Sequence, residues 1–301
     1  MPSPKHFVAS FDVNAPRPLM ARFNLPFHFF LGLALVVFFW LASWTRFGVF
    51  GEYAFFPQWL GYIFTVDGWV ARRKKSSLMM RAPREFILLF ILSAPMWWVF
   101  EGLNNLVLNW HYIIPSHYSI LQIIVESTIA FSIVIPAVFE TTELILTFDF
   151  ARRLPPARSF HLSPKLLWLL MFAGAFGFAA LVLAPRIAFP LTWVWLILIL
   201  DPLNCLRGRE SLIGQAARGD YRLIVALAMG GLICGLFWEM WNYWAFPQWY
   251  YTVPFFDGLR IFEMPLLGYL GYIPFAWELY ALYQWVWGIQ QRTTRALILD
   301  R

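Results

Sequence analysis

Eight long apolar stretches, set apart by polar connections, dominate the chain: 27–46, 53–70, 86–108, 118–147, 164–184, 187–202, 221–247 and 261–288. A helix needs about 20 apolar residues to cross the hydrocarbon of a bilayer. The second and sixth stretches are short and the fourth is long, but the pattern predicts an all-α polytopic membrane protein with about eight transmembrane helices. Residues 1–24 are polar and carry Pro2, Pro4, Pro16 and Pro18. They lack the short apolar run and small-residue cleavage site of a signal peptide, so the first span is expected to be retained.

Composition narrows the function classes. Of 301 residues, 60% are hydrophobic, 20% aromatic and only 13% charged, against about 25% charged in soluble globular chains. A soluble domain of this size has too little interior to hide that surface. An ordinary cytosolic enzyme, a disordered chain and a nucleic-acid binder are excluded. The net charge of +6 reflects topology instead. Basic residues gather in alternate connections, with Arg72, Arg73, Lys74, Lys75, Arg81 and Arg84 in 71–85, and further groups in 148–165 and 203–222. This is the positive-inside pattern with both termini cytoplasmic, and it predicts a multi-pass protein of a bacterial inner membrane. Cys205 and Cys234 lie in or beside apolar segments and read as packing residues.

The chain also repeats itself. Phe100-Glu101-Gly-Leu-Asn104 matches Trp238-Glu239-Met-Trp-Asn242, and Ile135-Pro136 through Glu140 matches Ile273-Pro274 through Glu278, both at an offset of 138. Trp110-His-Tyr112 matches Trp249-Tyr-Tyr251 and Glu126 matches Glu263, one position to either side of that offset. Two units are expected, 1–160 with the N-terminal cytoplasmic tail and 161–301. Each holds four helices, and an even number per unit makes the repeat parallel.

Most of the shared polar positions are acids. A carboxyl group in hydrocarbon is costly and is usually functional. Glu101, Glu126, Glu239 and Glu263 are the candidate catalytic groups, predicted to converge on one layer. Glu140 and Glu278 lie about four turns further along the helices of Glu126 and Glu263 and should keep their face. No Lys or Arg inside the spans is available to pair with them. Asn104 and Asn242, one helical turn from the first acids, are expected to orient them. Trp110 and Trp249 should line a pocket mouth, with Trp98 and Trp238 beside the acids.

Acids ringed by aromatic faces suit one kind of reaction. One carboxyl group protonates a carbon–carbon double bond, π faces stabilise the cation, and a second carboxyl group removes a proton or guides water. No cofactor and no metal are called for; His111, His117 and Glu126 show no metal-ligand spacing. The partner would be a membrane lipid or isoprenoid substrate, not a nucleic acid.

The run Glu101, Trp110, Pro115, Glu126, Pro136, Glu140 resembles the repeat of the membrane lycopene cyclases, the heterodimeric bacterial and fungal CarR-like type, over about 50 residues in each half. That family places an acid nine residues before a Trp, as Glu101 and Trp110 do here. It departs in having Asp for Glu101 and a double Glu where Glu126-Ser127 and Glu263-Met264 stand. The resemblance implies cofactor-free cyclisation or hydration of a carotenoid-like lipid. Two other readings compete. One is a proton- or cation-coupled transporter using the intramembrane glutamates, for which Pro265, Gly268, Gly271 and Pro274 mark a break in the last span. The other is a lipid-binding protein without chemistry.

Overall fold

The computed structural model describes residues 25–255 and 258–289. The tails, in which both termini were expected to face the cytoplasm, lie outside the described residues. The fold is mostly helical. In chain order the elements are α1 (Phe27–Trp44), α2 (Gly48–Glu52), α3 (Phe55–Lys74), α4 (Leu78–Arg81), α5 (Pro83–Val107), β1 (Trp110–Ile113), α6 (Ile120–Phe131), α7 (Val134–Leu146) and α8 (Asp149–Arg152). There follow α9 (Pro164–Leu183), α10 (Pro185–Ala188), a 3₁₀ turn Phe189–Trp193, α11 (Trp195–Leu206), α12 (Leu212–Ala217), α13 (Arg222–Asn242) and β2 (Gln248–Tyr251). The chain closes with β3 (Arg260–Ile261), β4 (Met264–Pro265), a 3₁₀ turn Leu266–Gly271 and α14 (Tyr272–Ile289).

Five helical stretches among the described residues are long and apolar enough to cross a membrane: α1, α5, α6 with α7, α9 and α13. A sixth appears if Pro185–Trp193 and Trp195–Leu206, bent by 41° at Val194, count as one span. The other two predicted stretches contain helices of 20 and 18 residues, α3 and α14. Asp67, Arg72, Arg73 and Lys74 make α3 the more polar of these.

Local chemistry sets the boundaries. Ser77, Ser119, Ser163 and Ser211 are N-caps whose hydroxyls accept from backbone N–H groups inside α4, α6, α9 and α12. Pro83, Pro164 and Pro185 stand at the starts of helices, where no N–H is required. Pro136 interrupts the fourth stretch because it cannot donate to the carbonyl four residues back. One position earlier, the Ser93 hydroxyl is inserted into the helix ladder. It donates to Phe131 O at 2.6 Å and accepts from Ile135 N at 3.1 Å, bridging two groups that a regular helix would pair directly.

The predicted eighth stretch is broken more completely. Residues 260–271 form a short hairpin and a 3₁₀ turn, and the helix begins only at Tyr272. Pro265, Gly268 and Gly271 fall in this segment, and Pro274 lies in the first turn of α14. The helix therefore starts well after residue 261, and Glu263 is not on it.

Packing follows close backbone approach. Gly32 and Gly61 face each other between α1 and α3, where a Cβ at either would meet the opposite backbone. The core lies where α3, α5, α7, α13 and α14 meet, around Trp59, Leu89, Phe100, Ile135, Phe139, Leu227 and Phe275. β1 and β2 pair antiparallel with Trp110 opposite Tyr251 and Tyr112 opposite Trp249. This ribbon joins the segments that follow α5 and α13.

Candidate functional site

Two asparagines build the ribbon. Asn104 donates through Nδ2 to Trp110 O at 2.7 Å and accepts through Oδ1 from Asn109 N at 2.9 Å and Trp110 N at 3.3 Å. Asn242 donates to Trp249 O at 2.7 Å and accepts from Trp249 N at 2.8 Å. Each amide ties the last turn of a helix to the strand that follows. The expectation that they orient the acids is corrected: their hydrogen bonds go to strand backbone, and they place the acids' partners.

Side chains alternate along a strand, so Trp110, Tyr112, Trp249 and Tyr251 share one face. All four line a cavity of about 750 Å³. His111 and Tyr250 stack on the other face, centroids 5.1 Å apart. The cavity is walled by aromatic rings, including seven tryptophans. On one side Phe100 stacks on Trp193 at 5.3 Å, with Trp110 5.7 Å from Trp193. On another, Trp238 stacks on Tyr272 at 5.9 Å.

Glu101 lies on this wall. A single oxygen, Oε1, accepts from Trp97 Nε1 at 2.9 Å, Trp110 Nε1 at 3.0 Å and the Tyr112 hydroxyl at 2.6 Å. An indole N–H can only donate, so this oxygen is fixed as an acceptor. Glu126 also lines the cavity and makes no hydrogen bond or ion pair among the described residues. Glu52, at the end of α2, is a third carboxyl group on the wall and accepts from, or donates to, His117 Nε2 at 3.0 Å.

The second-half acids are placed differently. Glu239 is fully buried and does not border the cavity. Its Oε1 accepts from Tyr251 at 2.7 Å and Tyr272 at 2.6 Å, and Tyr251 accepts in turn from Trp249 Nε1 at 2.9 Å. Burial, and then the Glu239 carboxylate, push the Tyr251 phenol well above its ordinary value, which keeps it a donor. Glu263 sits in the turn between β3 and β4, 3.9 Å from Arg260 Nη1. Of the four predicted catalytic acids, Glu101 and Glu126 border the cavity, Glu239 stands behind its tyrosines, and Glu263 does not border it.

Glu140 and Glu278 are fully buried away from the cavity. Glu126 borders the cavity and Glu140, on α7 beyond the interruption at residues 132–133, does not. Glu278 accepts from Leu196 N at 3.0 Å, satisfying an orphan donor at the start of α11. Asp67 accepts from Met79 N at 3.0 Å, while Asp201 accepts from Leu212 N and Ile213 N at 2.7 and 2.8 Å. These acids hold short helices in place. Glu143, three residues beyond Glu140, has cations: Arg81 grips both its oxygens at 2.7 and 2.8 Å and Lys74 lies at 3.3 Å, because the basic loop folds back onto the bundle.

Of the remaining predicted residues, Trp98, Trp110, Trp238, Trp249 and Asn242 line the cavity, and Asn104 lies behind the ribbon. Sequence reasoning missed Trp193, Tyr272, Gln58 and the Glu52–His117 pair. The matched Trp-x-Tyr triplets held the signal for the phenols of Tyr112 and Tyr251, since each triplet follows its acid. Searches against family models, curated proteins and solved structures find no match to this chain.

Proposed function

We propose that the protein is an integral membrane enzyme of the bacterial inner membrane, performing cofactor-free acid–base chemistry on an isoprenoid or carotenoid-like lipid. In this reading the chain crosses the membrane eight times, with α3 and α14 completing the set, as two parallel four-helix repeats with both termini cytoplasmic. The observation that carries it is Glu101. Its Oε1 is held by two indole N–H groups and a phenol on the wall of an aromatic cavity.

The roles follow from the hydrogen bonds. Glu126, unencumbered by donors, gives its proton to an alkene carbon of the substrate, and the π electrons of that double bond form the new C–H bond. The positive charge left on the neighbouring carbon lies among ring faces that attract it. It is attacked by a second double bond, closing a ring, or loses a proton directly. In either case Glu101 takes a proton from the carbon next to the final cationic centre, so the substrate is isomerised with no net loss of atoms; Glu101 then gives its proton to solvent and Glu126 regains one from solvent before the next turnover. A cavity walled by rings limits quenching by water. The likeness to membrane lycopene cyclases supports cyclisation as the rearrangement.

The test is the apolar compound that copurifies with the full chain, compared between wild type and Glu101→Gln. A precursor that accumulates on the variant supports the enzyme. The same compound, unchanged and in equal amount on both, contradicts it.

A second reading has an observation of its own. Glu140, fully buried, stands beside Asp67 and Glu143, with Arg81, Lys74 and His28 around them. Such a buried charged cluster also suits a proton- or cation-coupled transporter. Proton-coupled uptake into proteoliposomes, lost in Glu140→Gln, would favour it.

A further inference from the structure

The cavity carries one sign of charge. Glu52, Glu101 and Glu126 border it, and no Lys, Arg or His among the described residues does. Unlike the acids buried in the bundle, these three are accessible. Glu101 commits one oxygen, Oε1, to Trp97, Trp110 and Tyr112. Its Oε2 makes no hydrogen bond among the described residues and keeps accessible surface. Glu126 is half-buried, with both oxygens accessible and unbonded among the described residues. Glu52 meets His117 Nε2 at 3.0 Å, but that imidazole is 65% exposed and off the cavity wall. Glu52 and Glu126 are near enough for their carboxylates to repel each other.

Carboxylates on an apolar wall favour a counter-charge. A metal ion does not suit them. No three of the described His, Cys, Asp and Glu side chains come together as a ligand set, and a compact ion needs oxygen ligands that rings do not supply. A diffuse organic cation does suit them. It is weakly hydrated, and π systems attract it. Rings stand beside the free oxygen of Glu101: Trp97, Trp110 and Tyr112 all donate to the same carboxylate, at 2.9, 3.0 and 2.6 Å. The Trp193 ring lies 5.7 Å from Trp110. All four rings border the cavity.

We infer that the cavity is a binding site for an organic ammonium ion carrying an apolar chain. The head group sits at Glu101 Oε2 beside Trp97, Trp110 and Tyr112, and the chain lies along the apolar walls. Glu52 and Glu126 add to a field that attracts cations and excludes anions, because a low-dielectric cleft focuses the charge that lines it. With Glu126 protonated, Glu52 and Glu101 still give the cavity its sign. The inference goes beyond the isoprenoid reading: this ligand is a stable cation, held without reaction and selected by a charge that a hydrocarbon lacks.

The test is equilibrium dialysis against the full chain in lipid nanodiscs, with binding to empty nanodiscs subtracted. The probes are hexyltrimethylammonium, the hydrocarbon of the same shape with carbon in place of nitrogen, and hexanesulfonate. The expected result is that the cation binds about tenfold more tightly than the hydrocarbon, and the sulfonate no better than the hydrocarbon. Glu101→Gln keeps the shape of the side chain and should bring the cation toward the hydrocarbon's affinity while leaving the hydrocarbon unchanged. Glu263→Gln removes a carboxylate that does not border the cavity and should change neither. The wild-type comparison decides even where Glu101→Gln fails to fold. Equal binding of cation and hydrocarbon overturns the charged site and leaves the apolar cavity of the isoprenoid reading standing. Sulfonate bound as tightly as the cation, or no probe bound, overturns it as well; the isoprenoid reading is judged separately, by the compound that copurifies.

Discussion

Tyr272 fills the space that Gly235 leaves open, and from there its hydroxyl reaches Glu239 at 2.6 Å. A Cβ at residue 235 would run into the tyrosine ring. In the first half the matching positions are Trp97 and Val134, and there Trp97 itself donates to the acid, Glu101. Glu101 thus takes this donor from its own helix, α5, and Glu239 takes it from α14, with the large and the small residue exchanged between the matching positions.

That exchange predicts a coupling. Gly235→Ala alone should overpack the interface and lower stability by about 1–3 kcal/mol. Adding Tyr272→Val should recover part of the loss, as residues in contact are not additive. Thermal unfolding midpoints of the two singles and the double in detergent give the cycle. Additive losses would mean that Tyr272 does not sit against residue 235.

The ribbon should depend on its two amides. Asn104→Ala removes a buried group that serves three backbone partners, and Asn242→Ala one that serves two. Each should cost about 1–3 kcal/mol, since strand groups lose their partners. Hydrogen exchange at Trp110–Ile113 should rise in both variants, because β1 and β2 hold each other. Protection unchanged in Asn242→Ala would contradict a shared ribbon.

The charged cluster makes a third prediction. Arg81→Ala leaves Glu143, 1% exposed, with Lys74 at 3.3 Å as its remaining cation among the described residues. Stranding a buried charge costs about 3–5 kcal/mol. Arg81→Met with Glu143→Leu should be markedly less harmful than Arg81→Ala, because both charges leave together. Unfolding midpoints compare them directly; equal damage would place the pair's worth elsewhere.

Much of the frame was legible in the sequence, because apolar runs of membrane length leave little choice but helix. The paired Glu-x-x-Asn motifs pointed to both ends of the ribbon, and Gly268, Gly271 and Pro274 pointed to the break before α14. Geometry between elements was not legible. Nothing in a linear pattern says that Ser93 enters a neighbouring helix, or that the basic loop folds back to bring Arg81 onto Glu143. The same blindness made the four glutamates look equivalent. Gly235 stands where the offset of 138 places Trp97, Glu263 lies outside any helix, and of the four glutamates only Glu101 and Glu126 border the cavity. The strands themselves were invisible, being four residues long in β1 and β2 and two in β3 and β4.

The central claim is proton transfer between the cavity acids and carbon, and solvent isotope tests it most directly. The compound that copurifies with the Glu101→Gln chain is presented to the wild-type chain in deuterated buffer, and the product is weighed by mass spectrometry. The account predicts one solvent-derived deuterium on carbon per turnover with wild type, and none with Glu126→Gln. A product formed without deuterium, or formed equally by both chains, would contradict it.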